Sequence, residues 1–161
     1  MSILEKLFSR PSFPLYAPMA GRAVAVTEVS DPAFSGGLLG KGIAIIPADG
    51  KVFAPCDATV DVVFTTGHAV SLIADFGAEI LIHVGLGAAA QHSRFFTTHV
   101  NPGQKIHKGD LLIEVDLQAA AAAGLDLTAP MLVTNASEYT QIQIHTGADV
   151  TNSDVVVQLA K

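Results

Sequence analysis

Val100-Asn101-Pro102-Gly103-Gln104-Lys105-Ile106-His107-Lys108-Gly109-Asp110-Leu111-Leu112-Ile113 aligns without gaps on Ile144-His145-Thr146-Gly147-Ala148-Asp149-Val150-Thr151-Asn152-Ser153-Asp154-Val155-Val156-Val157. Gly103 falls on Gly147, Ile106 on Val150, Asp110 on Asp154 and Ile113 on Val157. A second echo sets Ala17-Pro18-Met19-Ala20-Gly21-Arg22-Ala23-Val24 against Ala54-Pro55-Cys56-Asp57-Ala58-Thr59-Val60. Each unit reads as a turn feeding a strand: glycine supplies positive φ at the reversal and aspartate caps the turn. Two units are too few for a solenoid. The duplication therefore predicts two pseudo-symmetric halves sharing one core, an all-β antiparallel sandwich or barrel.

The rest of the chain from Leu15 agrees. Short apolar or alternating runs recur at Arg22–Val29, Gly42–Ile46, Thr59–Thr65, Ala69–Ala74, Glu79–Val84, Leu111–Val115, Met131–Thr134 and Val155–Leu159, punctuated by Gly, Pro, Asp and Asn. Val60, Val62 and Phe64 alternate with Asp61 and Val63, and Ile80 and Ile82 with Leu81 and His83, the period-2 signal of strands. One short helix is expected near 117–124, an alanine run capped by Asp116 and closed by Gly124. Residues 1–11 differ in character. Ile3, Leu4, Leu7 and Phe8 share one helical face, Glu5, Lys6 and Arg10 lie off it, and Pro11 to Pro14 stop the helix. They read as an amphipathic tail, either packed on the domain or weakly anchored at a membrane surface, with residues 12–161 as the domain.

With 161 residues, one core accounts for the whole length. Charged residues make up 15% and hydrophobic ones 50%, which excludes intrinsic disorder. The net charge of −6 comes without any Lys/Arg cluster, so the footprint for a phosphate backbone is missing and no nucleic-acid partner is expected. Cys56 is the single cysteine, so no internal disulfide forms. No apolar run reaches membrane-spanning length, and the charged start lacks a signal-peptide core. A cytoplasmic location is expected.

Six histidines are the unusual reactive inventory. His83 sits in Gly77-Ala78-Glu79-Ile80-Leu81-Ile82-His83-Val84-Gly85-Leu86, on the face opposite Ile80 and Ile82. A lone strand histidine is usually a half-buried structural group. Gly85 changes that reading, because its carbonyl can accept from Nδ1 and leave Nε2 as the lone pair a nucleophile requires. A turn around Asp75-Phe76-Gly77 would fold His68 back beside His83, and Thr66 could reach the same face. Paired imidazoles suit metal binding or holding a phosphoryl group. His92, His99, His107 and His145 read as surface residues, and Cys56 as a small core hydrophobe.

At these residues the chain resembles the glucose-type enzyme IIA components of the phosphoenolpyruvate-dependent sugar phosphotransferase system. The carrying motifs are Gly77 to Leu86 around His83, Thr66-Gly67-His68-Ala69-Val70-Ser71, Leu39-Gly40-Lys41-Gly42-Ile43-Ala44-Ile45-Ile46-Pro47, and Val52 to Val60, within a resemblance covering residues 15–161. The resemblance implies a β-sandwich built as a duplicated hybrid motif. It implies that His83 is phosphorylated on Nε2 by phospho-HPr and passes the group to a cysteine of an enzyme IIB domain. His68 would donate to the phosphoryl oxygens, Thr66 would orient the histidines, and Asp31, Ala33, Phe34, Leu38, Leu39, Phe64 and Leu81 would form the apolar docking rim. No cofactor is required on this reading, though zinc could bind His68 and His83 at a partner interface. Gly87-Ala88 stand where the family usually has Asp-Thr, Gln91 to Phe96 lack its glycine-rich turn, and Lys41 replaces a commonly acidic residue.

Two rival functions stand beside this reading. One is a regulatory protein switched by phosphorylation of His83, which would add charge to an apolar face. The other is a zinc peptidase on a related fold, which needs at least three ligands, while no H-x-H pair exists here.

Overall fold

The computed structural model describes residues 11–87 and 93–161. The expected tail helix over residues 3–10 lies outside the described residues. The main sheet has the spatial order β13 (Asp149–Val150), β2 (Gly21–Ala25), β3 (Lys41–Pro47), β11 (Ala129–Val133), β7 (Glu79–His83), β6 (Ala69–Ala74), β5 (Ala58–Val63), β9 (Lys105–Ile106). A second sheet joins β1 (Ser12–Tyr16), β14 (Val155–Ala160) and β12 (Gln141–Ile144), and a third joins β4 (Lys51–Phe53), β10 (Leu111–Val115) and β8 (Phe96–Thr98). Neighbouring strands run antiparallel throughout. One continuous core draws Ile43 and Ile45, Ile80 and Ile82, Leu112 and Ile113, and Val156 and Leu159 from all three sheets. The fold is an all-β sandwich.

The duplicated turns are built alike. Gly103 (φ +84°) donates to the Val60 carbonyl at 2.7 Å, and Gly147 (φ +88°) donates to the Ala23 carbonyl at 2.8 Å. The Asp110 carboxylate accepts from His107 N and that of Asp154 from Thr151 N, each at 2.8 Å. The aspartate carbonyls then accept from Ala54 and Ala17. Strand register extends the equivalence. Arg22 pairs with Ile46 as Thr59 pairs with Ile73, which superposes β3 on β6. Met131 pairs with Ile43 as Ile82 pairs with Val70, and Met131 and Ile82 pair with each other. The pseudo-dyad therefore passes between β11 and β7. It makes His83 the counterpart of Leu132, and His68 the counterpart of Lys41.

The expected short helix is α2 (Leu117–Ala122), following the one-turn α1 (Pro32–Ser35) in the chain. Asp116 caps α2 by accepting from Ala119 N at 3.0 Å, and Gly124 closes it at φ +77°. Two expectations are corrected. The run Arg22–Val29 is strand only to Ala25, because Val26 and Val29 turn into a small satellite core with Phe34, Leu86 and Leu132. The alternation over Val60, Val62 and Phe64 is broken: a bulge between Val60 and Val62 leaves Val60 buried and Val62 exposed. The strands β1, β4, β8, β9, β12 and β13 were not separately expected. Most are two to four residues long, too short to show a period.

Candidate functional site

Alternation along β7 sends Ile80 and Ile82 into the core and leaves Leu81 and His83 half-buried on the outer face. β6 folds back with Ala69 opposite His83, which brings His68 alongside at the rim. The Val84 amide donates to the His68 carbonyl at 2.8 Å and locks the two strand ends together. Gly67, at φ +77°, makes the turn that carries Thr66 back over His68.

The proton positions follow from one fixed point. His83 Nδ1 lies 2.9 Å from the Gly85 carbonyl oxygen, which can only accept, so Nδ1 carries the proton. Nε2 of neutral His83 is therefore a lone pair. His68 Nε2 lies 3.2 Å from it and must donate, which makes His68 Nδ1 an acceptor for the Thr66 hydroxyl. The chain Thr66 to His68 to His83 to Gly85 thus has one consistent direction, with both rings neutral.

The electrostatics keep them so. Burial lowers the pKa of His68 to about 4, and the neighbouring His83 pushes the same way. Burial also lowers that of His83, opposed by the Gly85 carbonyl and by the Asp31 carboxylate. Asp31 is held at the start of α1, where it accepts from Ala33 N at 3.0 Å. Aromatic rings wall the pair. Phe34 lies 4.9 Å from the His83 ring, while Phe64 and Phe96 lie 5.5 and 6.2 Å from that of His68.

The residues expected at the docking rim differ in exposure. Leu38 is 89% exposed, Leu39 and Phe64 are exposed, Ala33 is exposed, and Leu81 and Asp31 are half-buried. Phe34 is corrected: it is buried beneath α1 against His83 and offers a partner no surface. Val62, made outward by the bulge, and Ile73 add exposed apolar area that sequence reasoning missed. Phe96 was missed too, since a three-residue strand carries no signal of its own.

The remaining candidates stay apart from this centre. His99 contacts Glu114 at 3.0 Å, His107 lies 3.8 Å from Asp57, and His145 is exposed, all as surface groups. His92 and Ala88 lie outside the described residues. Cys56 is buried, and burial with Asp57 and Asp75 pushes its thiol up to about 12, so it is no nucleophile. Among the described residues no three His, Cys, Asp or Glu side chains converge on a metal position.

A neutral imidazole with its Nε2 lone pair at a rim, a second imidazole donating toward it, and aromatic side chains around both form an arrangement chemically able to hold a transferable group. The comparisons make the class specific. Residues 13–139 match the family model of the phosphoenolpyruvate-dependent sugar phosphotransferase system, EIIA 1. The chain belongs to this family and is a phosphotransferase component that carries phosphoryl groups. It is 44% identical over 129 residues to a PTS system beta-glucoside-specific EIIBCA component of Dickeya chrysanthemi, covering 80% of this chain and 20% of that protein. It is 43% identical over 159 residues to a raffinose carrier protein of Pediococcus pentosaceus, covering 98% of this chain and 24% of that protein. The chain thus spans about a fifth to a quarter of these relatives' length. Among solved structures it is similar to glucose permease IIA from Mycoplasma capricolum, with TM-score 0.82, 29% identity, and coverage of 92% of this chain and 96% of that one.

Proposed function

We propose that His83 Nε2 is the phosphoryl acceptor, taking the group from phospho-HPr and passing it to a cysteine thiolate of an enzyme IIB domain. The observation that carries this reading is the 2.9 Å contact of Nδ1 with the Gly85 carbonyl, which fixes the tautomer. The Nε2 lone pair forms the new N–P bond as the bond to the donor histidine breaks. In the second transfer the thiolate forms an S–P bond and the electron pair returns to Nε2. His68, donating from Nε2 and backed by Thr66, stabilises charge on the phosphoryl oxygens. Asp31, Ala33, Leu38, Leu39, Phe64 and Leu81 would form the docking rim, and Phe34 supports the His83 ring. HPr and IIB would meet this rim in turn, which fits exposed apolar groups around a reactive centre.

Among the described residues no helix is long and apolar enough to cross a membrane. We place the protein in the cytoplasm, with residues 3–10 as a weak contact to the inner membrane face. No cofactor takes part in the transfers. Zinc could be held by His68 and His83 only where a partner completes the shell, because two imidazoles leave half of a tetrahedron open. Regulation of other proteins through the phosphorylation state of His83 would use the same face. The deciding experiment is His83→Ala with phospho-HPr. A folded variant should take up no label, and labelling equal to the wild type would refute the assignment.

A further inference from the structure

We infer that Ser71 is a positioning residue for the docking rim: its hydroxyl holds the β5 bulge that turns Val62 outward and brings Phe64 against His68. This inference rests on the proposed phosphoryl exchange with partner proteins and deepens it.

Asp61 is the extra residue of the bulge, since Val60 pairs with Leu72 but Val62 pairs with Ser71. A bulge leaves a ladder amide without its usual partner. Here Ser71 Oγ fills that gap, accepting from Val62 N at 3.1 Å and donating to the Asp61 carboxylate at 3.3 Å. One hydroxyl therefore serves both the extra residue and the one that follows it. Beyond it the register resumes one residue out of phase. Val63 pairs with Val70, and the Phe64 amide reaches the Ala69 carbonyl at 3.0 Å. The slip sends Val62 to the outer face, where it is 46% exposed. Ser71 stands in a row with Val62 and Leu81, on the face that carries His83.

The other half of the duplicated fold supplies an internal control. The counterpart of Ser71 across the pseudo-dyad is Ala44, which has no hydroxyl. There β2 pairs with β3 in unbroken register from Gly21 opposite Pro47 to Ala25 opposite Ile43. The half with the hydroxyl bulges and carries the histidines, and the half without it runs straight. Ser71 is also the polar member of Thr66-Gly67-His68-Ala69-Val70-Ser71 to which the proposed transfer chemistry gives no task.

The test uses the full chain with Ser71→Ala and Ser71→Thr. Loss of the hydroxyl should speed hydrogen exchange of the Val62 amide about tenfold, the order expected for one lost neutral hydrogen bond. Ser71→Ala should raise KM for phospho-HPr several-fold at little change in kcat, and Ser71→Thr should restore both readouts. Unchanged Val62 exchange in Ser71→Ala, or a fall in kcat with KM unchanged, would overturn the inference. So would a folded Ser71→Thr that fails to restore KM. A wild-type protein that phospho-HPr cannot label would refute the proposed function instead, and the Val62 exchange arm would then decide the role of Ser71 in the bulge.

Discussion

His68→Gln separates the electrostatic account of the histidine pair from a purely steric one. Buried His68 has its pKa lowered to about 4, whereas an exposed histidine in the unfolded chain titrates near its ordinary value. Between those values the unfolded state binds the extra proton, so stability rises with pH across the window. The penalty is absent above about pH 6.5, grows as pH falls, and is complete below about pH 4. Linkage gives about 2 kcal/mol lost through His68 between about pH 7.5 and about pH 5. Glutamine does not titrate and so removes that loss. It also relieves the repulsion that a protonated His83 would meet, which shifts the result the same way. Urea denaturation of both proteins at the two pH values should show the variant losing about 2 kcal/mol less than the wild type on acidification. Comparing each protein with itself cancels whatever hydrogen bonding the substitution costs at neutral pH. Equal losses would refute the claim that burial keeps His68 neutral. The same variant tests the chemistry: a glutamine amide can donate to His83 Nε2 but cannot carry a proton. It should still accept phosphate and pass it on more slowly by about a hundredfold or more, and equal onward rates would remove His68 from the transfer step.

Three further outcomes follow from exposure and ligand count. Leu38→Asp should leave the urea midpoint within error, since Leu38 is 89% exposed, and raise KM for phospho-HPr on the order of tenfold; unchanged kinetics would remove Leu38 from the rim. Deleting residues 1–10 should leave labelling by soluble phospho-HPr and the melting temperature unchanged, while slowing transfer to membrane-embedded IIB. A fall of several degrees would mean that Ile3, Leu4, Leu7 and Phe8 pack into the core. Zinc titration of the isolated protein should find weak binding that vanishes on phosphorylation of His83, and sub-micromolar affinity in both states would contradict a two-imidazole site.

The repeat was legible because glycine and aspartate at turns are demanded locally, by backbone conformation and a side-chain cap. His83 was legible because Ile80 and Ile82 fix which face it leaves, and because a glycine two residues on lets a backbone carbonyl come close to its ring. Phe34 was misplaced for the opposite reason. A phenylalanine in a loop carries no period, and α1 has one turn, so its burial depends on Val26, Leu86 and Leu132 arriving from elsewhere in the chain. The β5 bulge was invisible for a related reason. Val60, Val62 and Phe64 keep period 2 on paper, and only the pairing partner decides whether Asp61 counts in the ladder.

Duplication also explains why a symmetric scaffold carries one centre. The pseudo-dyad offers two equivalent positions, yet Leu132 occupies that of His83 and Lys41 that of His68. Leu132 is fully buried, closed in by Val26, Val29 and Phe34 of the segment between β2 and β3. The corresponding segment between β5 and β6 is the short turn of Thr65 to Gly67, which leaves His83 half-buried beneath an open rim. The same segment that buries Leu132 also places Phe34 against His83 and Asp31 close enough to favour its protonated form. One half of the duplication thus supplies His83 and His68, and the other supplies the wall that packs against the His83 ring. A histidine at position 132 would be buried beneath that wall, whereas one at position 41, where Lys41 is exposed, would face solvent, so the two would not rebuild the pair of His68 and His83.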